Sequence, residues 1–264
     1  MARFNAAQWL GYALGPIVGG IIAAQLGTGA VFLILAPAGL ISALAVRLVD
    51  HRLMTPPMPL TMQTTATARF DLPSSALLGY YFIVAPASLV VLSFFPLLAA
   101  SRGYGTVVTG VLLSIAGLAT AAVQPAWGRV ADSRGIGALL LLGGLGTLAA
   151  LVVLPVFASI PIAAVATLAT GVAIAALVAG TSTAAVELGR TRGMGSYVGL
   201  FQSAGSLGQA VMPLLYGVVM GWVGVRGLLM ALGGLVAAGA LAYTLATVLA
   251  PGRPVAASDA RLRE

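Results

Sequence analysis

Eight apolar stretches with short polar intervals between them constrain this chain more than any other feature. Each has roughly 20 residues, the length a helix needs to cross a hydrocarbon core. They run from about Asn5 to Gln25, Ala30 to Val49, Ser75 to Ala99, Val107 to Trp127, Gly137 to Phe157, Ile162 to Val186, Met194 to Met220 and Leu228 to Ala250. Backbone inside lipid has no water to bond, so it must satisfy its own N–H and C=O groups, as a helix does. Strands of a membrane barrel would alternate apolar and polar residues, and these stretches do not. With 60% hydrophobic residues, 7% charged residues and a mean hydropathy of +1.06, the chain is no ordinary soluble domain. The expected fold class is an all-α integral membrane protein with eight transmembrane helices.

The charges give the orientation. Arginines near membrane spans favour the cytoplasmic side. With the N-terminus inside, Arg3, Arg47, Arg52, Arg69, Arg129, Arg134, Arg190, Arg192, Arg253, Arg261 and Arg263 are all inside, and only Arg102 and Arg226 are outside. Both termini are therefore expected in the cytoplasm. A secretory signal at the start is the rival, but Gly15-Pro16 and Gly19-Gly20 interrupt its apolar core, and its removal would invert the arginine pattern.

Much chemistry is excluded. There is no cysteine, hence no thiolate, disulfide or cysteine metal site. All 13 basic residues are arginine, so a phosphate-binding loop ending in Gly-Lys cannot be built. His51 stands alone in a polar interval and is read as solvated. No acid pair, Ser–His–Asp set or metal cluster can be assembled, so neither enzyme activity nor a cofactor is expected. The net charge of +7 is not a nucleic-acid stripe, because no basic run is interleaved with aromatics. The lack of lysine, with abundant Ala, Gly, Val, Leu and Pro, suits a GC-rich bacterial genome.

Within the first stretch, Gly11, Gly15 and Gly19 recur every four residues, with Pro16 and Gly20 beside them. Small residues at this spacing let another membrane helix approach closely, and Pro16 should bend the helix. The seventh stretch repeats the pattern at an offset of 197 residues. Pro16 then aligns with Pro213, Gly11 with Gly208, Gly20 with Gly217 and Asn5 with Gln202, while Gly15 and Gly19 meet the bulkier Met212 and Tyr216. Such repeats are usual in secondary transporters.

Polar residues inside apolar stretches are few. Gln202, Ser206 and Gln209 share one helix face, and Asn5 and Gln8 form a similar pair in the first helix. Unpaired amides in lipid cost several kcal/mol by order of magnitude, so these faces should point into the bundle or a water-filled cavity, as a substrate path or a hydrogen-bond network. Tyr80 and Tyr81 either line a cavity or anchor at the interface. Asp132, at the start of the following helix, either caps free N–H groups or meets a gate contact. Arg129 and Arg134 serve topology first. No helix carries a carboxylate near its middle.

Two of these motifs resemble the major facilitator superfamily, in particular its bacterial drug:proton antiporters. Gly11, Gly15, Pro16, Gly19 and Gly20 resemble the antiporter signature of the family's fifth helix. Gly128, Arg129, Asp132, Arg134 and Gly135 resemble the second-half copy of its cytoplasmic loop signature, with Ser133, Ile136 and Gly137 where that signature is basic. The resemblance implies a partial major facilitator fold. Residues 1–49 would be the last two helices of the N-terminal half, 50–74 a cytoplasmic linker, 75–250 a complete six-helix C-terminal half and 251–264 a cytoplasmic tail.

It also implies efflux of drugs or other small molecules across a bacterial cytoplasmic membrane, coupled to an ion gradient such as protons. Asn5, Gln8, Tyr81, Gln202, Ser206 and Gln209 would line the substrate path. The implied partners are the lipid bilayer, a small-molecule substrate, protons, and either a missing N-terminal four-helix segment or another membrane chain. Without those helices the chain is expected to be an incomplete carrier. The alternative is a non-transporting truncated or accessory membrane protein that assembles through its glycine-rich faces.

Overall fold

A computed structural model describes residues 2–53, 72–156 and 159–249, and no strand occurs among them. The helices are α1 (Ala2–Leu26), α2 (Thr28–Leu53), α3 (Leu72–Ser101), α4 (Thr106–Arg134), α5 (Ile136–Val156), α6 (Ile160–Arg192) and a run Met194–Leu249. That run breaks at Gly224 (φ 71°, ψ 174°), which divides it into α7 (194–223) and α8 (225–249). Eight helices therefore stand where eight apolar stretches were read. Gly27, Gly103, Gly135 and Gly193 also have positive φ. A side chain disfavours that conformation and glycine does not, so each turns the chain within very few residues.

Five described stretches are long and apolar enough to cross a membrane: Thr28–Ala45, Thr106–Ala131, Ile136–Val156, Ile160–Arg190 and Met194–Val248, the last holding both α7 and α8. Gly11–Leu26 and Ser74–Ala87 are shorter apolar stretches.

Several helices outrun their apolar spans, which corrects the expected boundaries. At 29 residues, α4 is about 43 Å long, beyond the ~30 Å hydrocarbon core. The interval from Gly128 to Gly135, expected as a loop, is the end of α4, with only Gly135 outside it. Arg, Val, Ala and Ser there are compatible with a helix, and polarity alone does not stop one. Asp132 is thus in the last turn of α4 rather than at the start of α5. A helix C-terminus disfavours a carboxylate and offers no free N–H groups to cap, so the capping role is withdrawn. Likewise Glu187 to Arg192, expected as a loop, belongs to α6. His51 lies in the last turn of α2, and residues 50–53 and 72–74 of the expected linker are helical. Residues 54–71 and the tail from 250 lie outside the described residues.

The main core is shared by α3 to α8. Leu77, Phe95, Leu98, Leu140, Leu151, Leu154, Leu177 and Leu228 are fully buried in it. α3 and α5 pack on the Met194–Leu249 run, and α6 packs on α4 and α5. Polar groups inside are tied down locally. Thr120 Oγ1 donates to the carbonyl of Ala116 or Gly171, each 2.9 Å away, which joins α4 to α6. Trp127 Nε1 donates to the Val172 carbonyl at 3.0 Å. Arg102 donates to the carbonyls of Leu154 (2.9 Å) and Pro155 (2.6 Å). These are last-turn carbonyls of α5, where a cation also suits the helix dipole.

α1 and α2 are attached differently. α1 packs on α4, while α2 packs on α1. Phe32 and Leu33 of α2 are 76% and 77% exposed, which is acceptable for a helix with lipid around it.

Candidate functional site

The α1–α4 seam is built from small residues on both sides. A Cβ on Gly110 would strike the Pro16 carbonyl, one on Gly117 would lie 2.7 Å from Ala13 Cα, and one on Gly20 would lie 2.7 Å from the Thr106 carbonyl oxygen. Backbone therefore lies on backbone, the arrangement that gives dispersion its full contact area in lipid. Ile17 N–H donates to Ser114 Oγ at 3.1 Å. This bond falls beside Pro16, which has no N–H for the helix ladder.

The five signature residues of α1 divide between two faces. Pro16 and Gly20 are in the seam, whereas Gly11 and Gly15 have nothing within 4 Å and Gly19 meets only Val31 Cγ1 at 3.9 Å. The close approach rests on Gly110 and Gly117 of α4 as much as on α1. Their signal was present in the sequence as Gly110, Ser114 and Gly117, small residues at helical spacing.

The second constellation is on α3 and α7. Tyr81 Oη donates to Gln202 Oε1 at 3.4 Å. The Tyr81 ring stacks on Phe201, with centroids 3.7 Å apart and planes 16° apart. Gly205 and Gly208 make room for this contact, since a Cβ on either would strike the Tyr81 ring or the Phe82 carbonyl. Gln202, Ser206 and Gln209 are exposed, and among the described residues Ser206 and Gln209 have no hydrogen bond. The result is a polar strip on α7, edged by an aromatic pair. Phe201 was not singled out by sequence, because one aromatic in an apolar helix carries no signal until its neighbour is known.

Tyr80 is neither an interfacial anchor nor a cavity wall. It is buried and stacks on Tyr243 of α8 at 6.2 Å. Asn5 and Gln8 are on the first turns of α1, but their side chains lie outside the described residues, as do those of Asp132 and Arg134. Arg129 and Gly135 are exposed and Gly128 is half-buried.

A bundle of apolar helices long enough to cross a bilayer, with glycine-fitted seams between them, defines a multi-pass membrane protein. The model of the Major Facilitator Superfamily matches residues 1–137 and again residues 77–263. The chain belongs to the Major Facilitator Superfamily. No curated protein matches it.

Proposed function

We propose that this major facilitator chain is an efflux carrier for drugs or other small molecules, driven by exchange with protons. It works in a bacterial cytoplasmic membrane with both termini inside. The polar strip Gln202–Ser206–Gln209 with Tyr81 carries this proposal. Hydrogen-bonding groups without internal partners belong beside water or ligand in a membrane helix, and an aromatic edge suits planar apolar molecules. Arg129 and Arg134 hold the inner end of α4 in the cytoplasm, Asp132 meets a gate contact there, and Asn5 and Gln8 extend the path from α1.

Residues 75–250 form the complete half and 1–49 two helices of the other, joined by 50–74, with 251–264 as the tail. This division is supported by the shared core of α3 to α8 and by the lone seating of α1 on α4. The bare Gly11 and Gly15 of α1 and bare Gly217 of α7 support further helices as partners. In alternating access the two halves rock about a site between them, so the chain without those helices is inert.

The test is ethidium flux into everted membrane vesicles of bacteria that express the chain together with the helices that complete its first half. The expected flux is abolished by a protonophore and falls at least ten-fold in a Q202A/Q209A variant. Flux that persists without a proton gradient overturns the coupling, and flux unchanged in that variant overturns the substrate face. Saturable flux by the purified chain alone in liposomes overturns the need for partner helices. A complex that forms through α1 or α7 with no flux of any kind identifies the accessory reading instead.

A further inference from the structure

Near its C-terminal end, α6 carries a second group of polar residues outside the strip on α7. Ser182, Thr183, Val186, Glu187 and Arg190 line an open pocket of ≈ 320 Å³. Several hydroxyls of the bundle return to their own helix. Thr147 bonds the Gly143 carbonyl, Thr170 that of Ala166, Thr181 that of Leu177 and Thr244 that of Ala240, each at 2.8 Å. Ser182 and Thr183 make no such bond among the described residues. Glu187 and Arg190 are three residues apart, within reach of each other on one helix face. Both are exposed, and they form no ion pair with each other or with any described residue. Opposite charges at that spacing that do not pair leave both sets of hydrogen-bonding sites open. At this end of α6 the helix runs past its apolar stretch, so both charges lie at headgroup level, where water and charged headgroups reach them.

We propose that this pocket binds a small zwitterion carrying an ammonium and a phosphate or carboxylate a few atoms apart. Glu187 accepts from the ammonium. Arg190 donates to the anionic group, for which its planar fork suits two oxygens. Ser182 and Thr183, one to two turns deeper, bond the remainder of the molecule. The same chemistry is offered by a soluble zwitterion and by an ethanolamine phospholipid headgroup. The site is independent of the strip on α7 and of transport, because binding at equilibrium needs no flux.

The experiment is equilibrium dialysis of radiolabelled O-phosphoethanolamine against the full chain in phosphatidylglycerol nanodiscs. Saturable binding is expected. Glu187→Gln and Arg190→Gln should each weaken it at least ten-fold, and S182A/T183V several-fold. Ethanolamine or inorganic phosphate alone at the same concentration should not displace it. Both charged positions are exposed and make no bond to a described residue, so the variants should elute like the parent chain, which separates lost binding from lost folding. A second set of discs contains phosphatidylethanolamine. Loss of the soluble signal there assigns the site to the headgroup, and an unchanged signal assigns it to a soluble zwitterion; both uphold the pocket. The proposal is overturned if phosphatidylglycerol discs show no saturable binding, or if E187Q and R190Q bind like the parent.

Discussion

α1 and α7 carry the same pattern 197 residues apart, yet they are seated by different faces. α1 lies on α4 through Ala13, Pro16, Ile17 and Gly20. Shifted by the repeat, those positions are Ala210, Pro213, Leu214 and Gly217 of α7. There Ala210 is exposed, Leu214 is 73% exposed and Gly217 touches nothing within 4 Å. α7 lies on α3 through Gly205 and Gly208, and its buried Met212 and Tyr216 continue that line into the core. Shifted back, these are Gln8, Gly11, Gly15 and Gly19 of α1, where Gly11 and Gly15 are bare. One pattern thus encodes two packing faces, and each copy uses the face the other leaves open. Where the partner is present, bulk has replaced glycine at Met212 and Tyr216.

The largest expected effect comes from filling the occupied face of α7. At Gly208 a side chain would meet the Phe82 carbonyl, and α3 cannot move away without leaving the core. Gly208→Leu should cost about 3 kcal/mol, the upper end of ordinary overpacking, read as a lower unfolding midpoint in an SDS titration in mixed micelles. A variant as stable as the parent would break the comparison, since that face would then not seat the helix.

Gly117→Leu should be nearly as costly locally, at about 1–3 kcal/mol, because Ala13 Cα would be 2.7 Å from the new Cβ. Its consequence should be confined. α2 depends on α1 and α1 on α4, so hydrogen exchange should rise throughout α1 and α2 while α5 and α6 keep their protection. Uniform loss of protection would mean that the two regions unfold as one unit. Ser114→Ala removes only the acceptor of the Ile17 N–H, and should cost about 0.5–1.5 kcal/mol with the same local exchange pattern. A pattern spread beyond α1 and α2 would count against that confinement.

What the sequence made legible follows from what membrane physics demands. The eight stretches were plain because each backbone must close its own hydrogen bonds across the core. The ends were not plain. At Gly128–Gly135 and Glu187–Arg192 the charges mark where the bilayer stops, not where the helix stops, and the helices run on to single glycines. The glycine rows showed that helices meet closely, but Gly11, Gly15 and Gly19 could not reveal which of two neighbouring faces is filled. That choice is made by Gly110, Ser114 and Gly117, more than ninety residues away on α4. Gln202, Ser206 and Gln209 were legible as a polar face, whereas its aromatic edge needed the Tyr81–Phe201 contact across 120 residues.

The smallest expected effect is the most discriminating. Gly11 and Gly208 are one position in the repeat, so Gly11→Leu repeats the Gly208→Leu experiment in the copy whose face is bare. Beyond its own stretch of helix backbone, no described atom lies within 4 Å of a Cβ at Gly11. The substitution should change the stability of the purified chain by no more than about 0.5 kcal/mol, as for a surface site without special contacts, and leucine's better helix propensity offsets part of any loss. A helix that docks on Gly11 and Gly15 as α3 docks on Gly208 would instead be blocked. In vesicles that show ethidium flux, Gly11→Leu should therefore abolish flux while the SDS midpoint of the purified chain stays put. A destabilisation like that of Gly208→Leu would mean that the face is already filled within this chain. Unchanged flux would mean that no helix docks there, and the two copies would then differ by history rather than by partner.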